Sequence, residues 1–220
     1  MIMTDININT KTVCFTGHRL ISSAEYPVIR DSLEANIRRL YSSGSRDFLC
    51  GGALGFDTLA ARTIIGLKKE LTGIRLIMII PCQEQSIRWK QSERDLYQEI
   101  LDKADQVEIL SPFYYEGCML NRNRYLVDHS EICVCYLKHM RGGTVYTVSY
   151  AVKKGLEVIN LALNTEKEVL CEPTCNSTYI SRSVSGNADT VISCPIRITR
   201  NTKKFTLMRF SGNLVFKRNT

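Results

Sequence analysis

The 220-residue chain is 44% hydrophobic and 23% charged, a balance that excludes wholesale disorder and suits one buried core with a small appendage. Its formal charge of +7 is uneven: residues 173–220 hold eight Lys/Arg against Asp189 alone, whereas residues 1–172 balance at 21 bases and 21 acids. The tail's charge therefore says nothing about what the body binds, and the longest strongly apolar run, Leu76–Pro81, is too short to span a bilayer, which argues against a membrane partner.

Lys11 to Thr16 is a β-branched and apolar strand that ends in Gly17-His18-Arg19. Ser22-Ser23-Ala24-Glu25 resembles a capping box ahead of a helix whose apolar positions are Ile29, Leu33, Ile37 and Leu40, closed by Gly44. Asp47 to Cys50 is a second strand, running into the turn Gly51-Gly52-Ala53-Leu54-Gly55-Phe56-Asp57. A helix through Ala60, Ile64, Leu67 and Leu71 leads to the strand Ile74–Ile80, which is apolar on both faces and so belongs inside a sheet covered on both sides. A polar segment containing Trp89 becomes a helix through Leu96, Ile100 and Leu101, and Gln106 to Leu110 is a fourth strand. A helix from about Met119, the strand Ile132–Leu137, the turn Gly142-Gly143 with its helix, and the strand Val158–Leu163 complete the body.

This alternation of about six strands with five helices predicts an α/β, Rossmann-like, doubly wound and mainly parallel sheet over residues 1–165. Residues 166–220 form a basic C-terminal extension. Within it Asn176 to Asp189 has linker composition, while Thr190–Ile198, Lys204–Phe210 and Leu214–Lys217 have modest strand character. A small β-rich unit and a disordered tail are both open there.

Nine cysteines without a secretory leader pattern imply a reducing, cytoplasmic setting with free thiols. Cys14, Cys50, Cys133 and Cys135 lie in apolar runs as small buried hydrophobes. Cys171, Cys175 and Cys194 lack a fourth ligand at metal-site spacing, so no metal and no cofactor is expected.

Ligands of doubly wound sheets bind outside the carboxyl ends of the strands, where all three glycine turns fall. A helix begins within a few residues of Gly51-Gly52 and of Gly142-Gly143, and each helix N-terminus favours an anion by about 0.3–1 kcal/mol. With Arg122 supplying a guanidinium, a phosphate-bearing, nucleotide-derived small molecule is the natural guest. The expected ligand-binding residues are Gly17, His18, Arg19, Gly51, Gly52, Asp57, Trp89, Arg122, Gly142, Gly143 and Thr144.

Each residue type also has a structural explanation. His18 is a phosphate contact or a turn histidine bonded to backbone, with Arg19 of similar standing. Asp57 either caps its helix or meets a ribose. Trp89 stacks on a base or covers the core. Arg122 meets phosphate or forms a surface ion pair. Arg124, two residues on, points elsewhere, and Asp128 and His129 diverge by about 100° on a helix, too far for a catalytic pair.

Cys14-Phe-Thr-Gly-His-Arg19, Gly51-Gly-Ala-Leu-Gly-Phe-Asp57, Ile80-Pro-Cys-Gln-Glu-Gln85 with Trp89, Arg122-Asn-Arg-Tyr-Leu-Val-Asp128, and Gly142-Gly-Thr144 with Tyr150-Ala151 together resemble the standalone SLOG proteins of the YpsA-like family. These are bacterial, Rossmann-like relatives of the LOG phosphoribohydrolases and of the DNA-processing protein DprA. The resemblance covers residues 11–163 and implies a nucleotide-type ligand at the strand ends and, by analogy, a homo-oligomer; the converging turns suit a sensor. Met119-Leu-Asn-Arg122 is similar to a LOG motif whose arginine aids catalysis, making Arg122 the one catalytic candidate. The LOG glutamate that handles the ribose falls on Thr147, which offers neither negative charge nor a base to an oxocarbenium-like state. The resemblance therefore implies binding, with nucleoside monophosphate hydrolysis as the first alternative. Nucleic-acid binding through the basic tail is the second.

Overall fold

Short apolar strands that alternate with amphipathic helices must each be re-entered from the same end, so they pair in parallel. The computed structural model describes residues 11–162 and the strand backbones of 205–210 and 213–218. In chain order the elements are β1 (Val13–Gly17), α1 (Tyr26–Ser42), β2 (Asp47–Cys50), α2 (Phe56–Leu67), β3 (Arg75–Ile80), α3 (Gln91–Lys103), β4 (Gln106–Ile109), α4 (Cys118–Asp128), β5 (Ile132–Tyr136), α5 (Gly143–Lys154), β6 (Glu157–Asn160), β7 (Phe205–Phe210) and β8 (Asn213–Arg218).

The strands lie in the order β4-β3-β2-β1-β5-β6-β8-β7. All pairings from β4 to β6 are parallel, as the alternation predicts. The chain lays β2, β3 and β4 outward on one side of β1, then crosses back to set β5 on its other side. Right-handed crossovers running in opposite directions place their helices on opposite faces. The packing follows this rule. On one face Phe15, Phe48, Leu76, Met78 and Ile80 meet Ile29, Leu33 and Ile37 of α1, Leu59 and Ile64 of α2 and Ile100 of α3. On the other, Cys14, Leu49, Ile79, Cys133 and Cys135 meet Leu126 and Val127 of α4 and Val148 and Ala151 of α5. Truncating a fully buried side chain such as Leu33 to alanine would cost about 2–5 kcal/mol.

The thiols of Cys14, Cys50, Cys82, Cys118, Cys133 and Cys135 are all free and buried. β3 lies one strand in from the β4 edge, and its alternate side chains enter both cores. At the start of α1 the Ser22 hydroxyl donates to the Glu25 carboxylate at 2.6 Å, while the Glu25 amide donates to Ser22 Oγ at 3.3 Å. This is half of a capping box, and the helix proper begins beside Pro27, in the position where proline's missing N–H is not needed.

Beyond β6 the sheet continues with antiparallel partners, β8 on β6 and β7 on β8. These correspond to the strand-like stretches 204–210 and 214–217. The segments 176–189 and 190–198, together with Cys171, Cys175 and Cys194, lie outside the described residues. Among the described residues no helix is long and apolar enough to cross a membrane.

Candidate functional site

The reversal of strand order between β1 and β5 separates the connections that leave their carboxyl ends, which is where open α/β sheets hold ligands. A cleft of about 350 Å³ opens there. Its wall runs along the sheet edge from Gln85 and Trp89 after β3, through Ala53 and Asp57 after β2 and Gly17-His18-Arg19 after β1, to Arg141-Gly142-Gly143-Thr144 after β5. Met119, Leu120, Arg122 and Asn123 of α4 face the same space. Of the residues expected from sequence, all but Gly51 and Gly52 line it.

Gly51 and Gly52 sit behind the wall, and their role is to make room. A Cβ on Gly51 would lie 1.8 Å from Arg122 Nη1, and one on Gly52 would press on Met78, Ile80 and Tyr97. The Gly51 carbonyl accepts from Arg122 Nη1, and both glycine carbonyls accept from Gln85 Nε2, at 3.4 and 2.8 Å. The double-glycine turn therefore anchors side chains from α4 and from the β3–α3 connection, and its own amides do not face the cleft.

Arg122 is 6% exposed, so it is not the surface ion pair that a charged helix position suggests. Its Nε donates to Asn123 Oδ1 at 2.8 Å, and Nη1 lies 3.9 Å from Asp57 Oδ2. Nη2 has no hydrogen-bond partner among the described residues, which leaves one edge of the guanidinium fork for another acceptor. Asp57 makes no helix cap. Gly55 occupies the cap position, and the Asp57 carboxylate instead accepts from the Ala53 amide at 3.3 Å. Burial raises its pKa above the usual carboxylate range, and the charge of Arg122 draws it back.

On the β1 side, the His139 backbone N–H donates to His18 Nε2 at 3.0 Å. A nitrogen that accepts cannot carry the proton, so in the neutral ring the proton sits on Nδ1. Burial, with the nearby His139 and Arg141, lowers the His18 pKa. Arg19 and Arg141 are exposed at the rim. Gly142 caps α5 with φ 81°, a conformation glycine adopts without cost, and the first amides of α5 are oriented outward from the helix end as an anion requires. α2 is less available than its spacing suggests, because the Phe56 amide already donates to the His18 carbonyl.

Thr147 lies 1% exposed inside α5 and donates to the Gly143 carbonyl at 2.9 Å, away from the cleft lining. The one carboxylate in the cleft lining is Asp57, beside Arg122, whereas Glu84 and Asp128 do not line the cleft. Glu84 accepts from the Tyr114 amide, and Asp128 is held by Tyr150 and Lys154. His129 stacks on Tyr125, so Asp128 and His129 diverge as helical spacing predicts. Arg124 bonds Tyr146 across the α4–α5 packing and has a structural place. Trp89 is half-buried at the cleft with its ring edge-on to Tyr97.

Gln85, Asn123 and Arg141 also line the cleft without being expected there. Their signals are positional: Arg141 directly precedes Gly142-Gly143, Asn123 directly follows Arg122, and Gln85 lies in the stretch between β3 and Trp89. Among the described residues no group of three or more His, Cys, Asp or Glu is arranged to hold a metal ion.

The chain is 33% identical to a UPF0398 protein of Halalkalibacterium halodurans over 129 residues, covering 57% of this chain and 68% of that one. It is 32% identical to the uncharacterized SPbeta prophage-derived protein YoqJ of Bacillus subtilis over 138 residues, covering 57% and 81%. Among solved structures it is similar to DNA processing protein A of Streptococcus pneumoniae, with a TM-score of 0.49 and 18% identity over 68% of this chain and 49% of that one. The same protein from Helicobacter pylori, described for its single-stranded DNA binding mode, gives 0.45 and 22% over 65% and 61%. A sequence profile of the YspA SLOG family matches residues 16–163, from within β1 to just past β6, a span that takes in every cleft residue named above. The chain belongs to the YspA SLOG family.

Proposed function

We propose that the protein binds a nucleotide or nucleotide-derived ligand at the carboxyl edge of its sheet, in a sensing or carrier role without turnover. The observation that carries this reading is the cleft itself, where a glycine-led helix N-terminus, Arg19, Arg122, Arg141 and His18 converge at the point of strand reversal. A phosphate suits the α5 end, because helix amides and guanidinium groups both donate to its oxygens. The β2 and β3 connections, with Asp57 and Trp89, then flank the ribose and base.

A thermal-shift and calorimetric screen against nucleoside monophosphates, nucleotide sugars and cyclic ADP-ribose-type molecules tests this. A ligand at 100 times its Kd stabilises by about 2.7 kcal/mol, which for a chain of this size raises Tm by roughly 5–10 °C. A folded protein that responds to nothing in the panel would count decisively against the reading. The absence of turnover is tested separately: incubation with adenosine 5'-monophosphate should release no free base, since Thr147 supplies no carboxylate to the cleft and the carboxylate that lines it, Asp57, is engaged by the Ala53 amide and lies beside Arg122. Release of adenine would favour the hydrolase alternative instead.

A further inference from the structure

Gln85 carries an acceptor that the protein leaves unanswered. The side chain is 8% exposed and lines the cleft. Its Nε2 donates to the carbonyls of Gly51 and Gly52, and this fixes the amide's orientation, because a flipped amide would set its oxygen against two carbonyl oxygens. Oε1, across the amide carbon from those bonds, is therefore turned away from the glycine turn. It is buried and has no hydrogen-bond partner among the described residues.

A buried polar atom without a partner is rare in folded proteins, and beside a cleft it is most simply completed by a ligand donor. The type of donor follows from the neighbour. Trp89 lies four residues on in the same connection, lines the same cleft, and is steadied edge-on by Tyr97. An indole here offers a flat surface to an aromatic ring, and base stacking on such side chains is tolerant of base identity. Stacking alone would not choose among bases, whereas an amide oxygen held in one orientation would.

We propose that Gln85 is the specificity-determining residue of the cleft, its Oε1 accepting a hydrogen bond from the exocyclic amine of a base stacked at Trp89. This rests on the nucleotide reading given above and narrows it to amino-bearing bases. A keto base presents an oxygen where the amine would be, so two acceptors would face each other in a site that excludes water.

The test pairs ligands that differ at that one group. Calorimetric affinities are measured for adenosine against inosine 5'-monophosphate and for cytidine against uridine 5'-monophosphate, on the wild-type protein and on Gln85→Leu. The wild type should prefer the amino member of each pair by roughly 10- to 100-fold, the effect of leaving one buried acceptor unpaired, and Gln85→Leu should lose most of that ratio. Comparable wild-type affinities within each pair would overturn the proposal, whether or not the variant folds. A folded variant that keeps the full ratio would overturn it as well. If no monophosphate binds at all, this proposal falls, and the nucleotide reading falls with it only when the wider panel above is also without response, whereas binding without discrimination removes this proposal alone.

Discussion

Arg122 and His18 show how burial changes what a charged or titratable side chain can do. A helix arginine in a sequence reads as a solvated charge, but Arg122 is bonded to the Gly51 carbonyl and to Asn123, with Asp57 at 3.9 Å. Nothing in the local sequence could show this, since Gly51 lies 71 residues upstream. His18 was legible as a candidate from its place after a strand and beside Gly17, but its tautomer was not, because that depends on the distant His139 amide. Its lowered pKa has a measurable consequence. The neutral form is favoured in the folded chain, so its contribution to stability is complete above the ordinary value of 6.5 and is lost as pH falls from there through the lowered folded value. Urea unfolding at pH 7.5 and pH 5.5 should therefore show the wild type losing more stability on acidification than His18→Gln, which does not titrate. Equal losses in the two proteins would contradict the assignment.

Strands and helices were legible from hydrophobic period almost throughout, because nearly every strand from β1 to β6 is short, apolar and set off by a turn. What each turn does was less legible. Gly51-Gly52 and Gly142-Gly143 look alike in sequence, yet the first holds side chains behind the wall and only the second opens toward the cleft. The difference comes from the element facing each turn. α4 drives a guanidinium across Gly51, whereas at Gly143 the nearest obstacle to a Cβ is Asn123 Nδ2 at 3.8 Å. Gly51→Ala should accordingly lower stability by about 1–3 kcal/mol, the usual cost of overpacking, and weaken ligand binding by displacing Arg122. Gly143→Ala should be milder in stability. Denaturant midpoints for the two variants check this, and a reversed order would show that Arg122 yields its position freely. Gly55 belongs with Gly51: at φ 83° its missing Cβ lets the start of α2 sit against the Arg19 carbonyl.

For the molecule as a whole, the parallel body followed from alternation alone, but where the chain reverses its strand order did not. Which side of β1 receives β5 is settled by crossover handedness and by which helix faces are apolar, and these are properties of the assembled layers. The continuation through β8 was not legible either, since a four-residue apolar stretch of modest strand character does not name its partner. β6 would be an edge strand without β8, and an uncovered edge is a template for pairing with other chains. Deleting residues 205–218 should therefore lower Tm and produce concentration-dependent association in analytical ultracentrifugation. An unchanged, monodisperse product would show that β6 is protected in another way. The order β4-β3-β2-β1-β5-β6 also bears on how the chain is made. β1 leaves the ribosome before the other described strands and finishes in the middle of the sheet, so one of its two hydrogen-bonding edges stays bare while β2, β3 and β4 accumulate on the other. The nascent protein thus has to keep a largely apolar strand from meeting the wrong neighbour until β5 emerges. The cleft, which straddles that last seam, cannot exist before synthesis of the body is nearly complete.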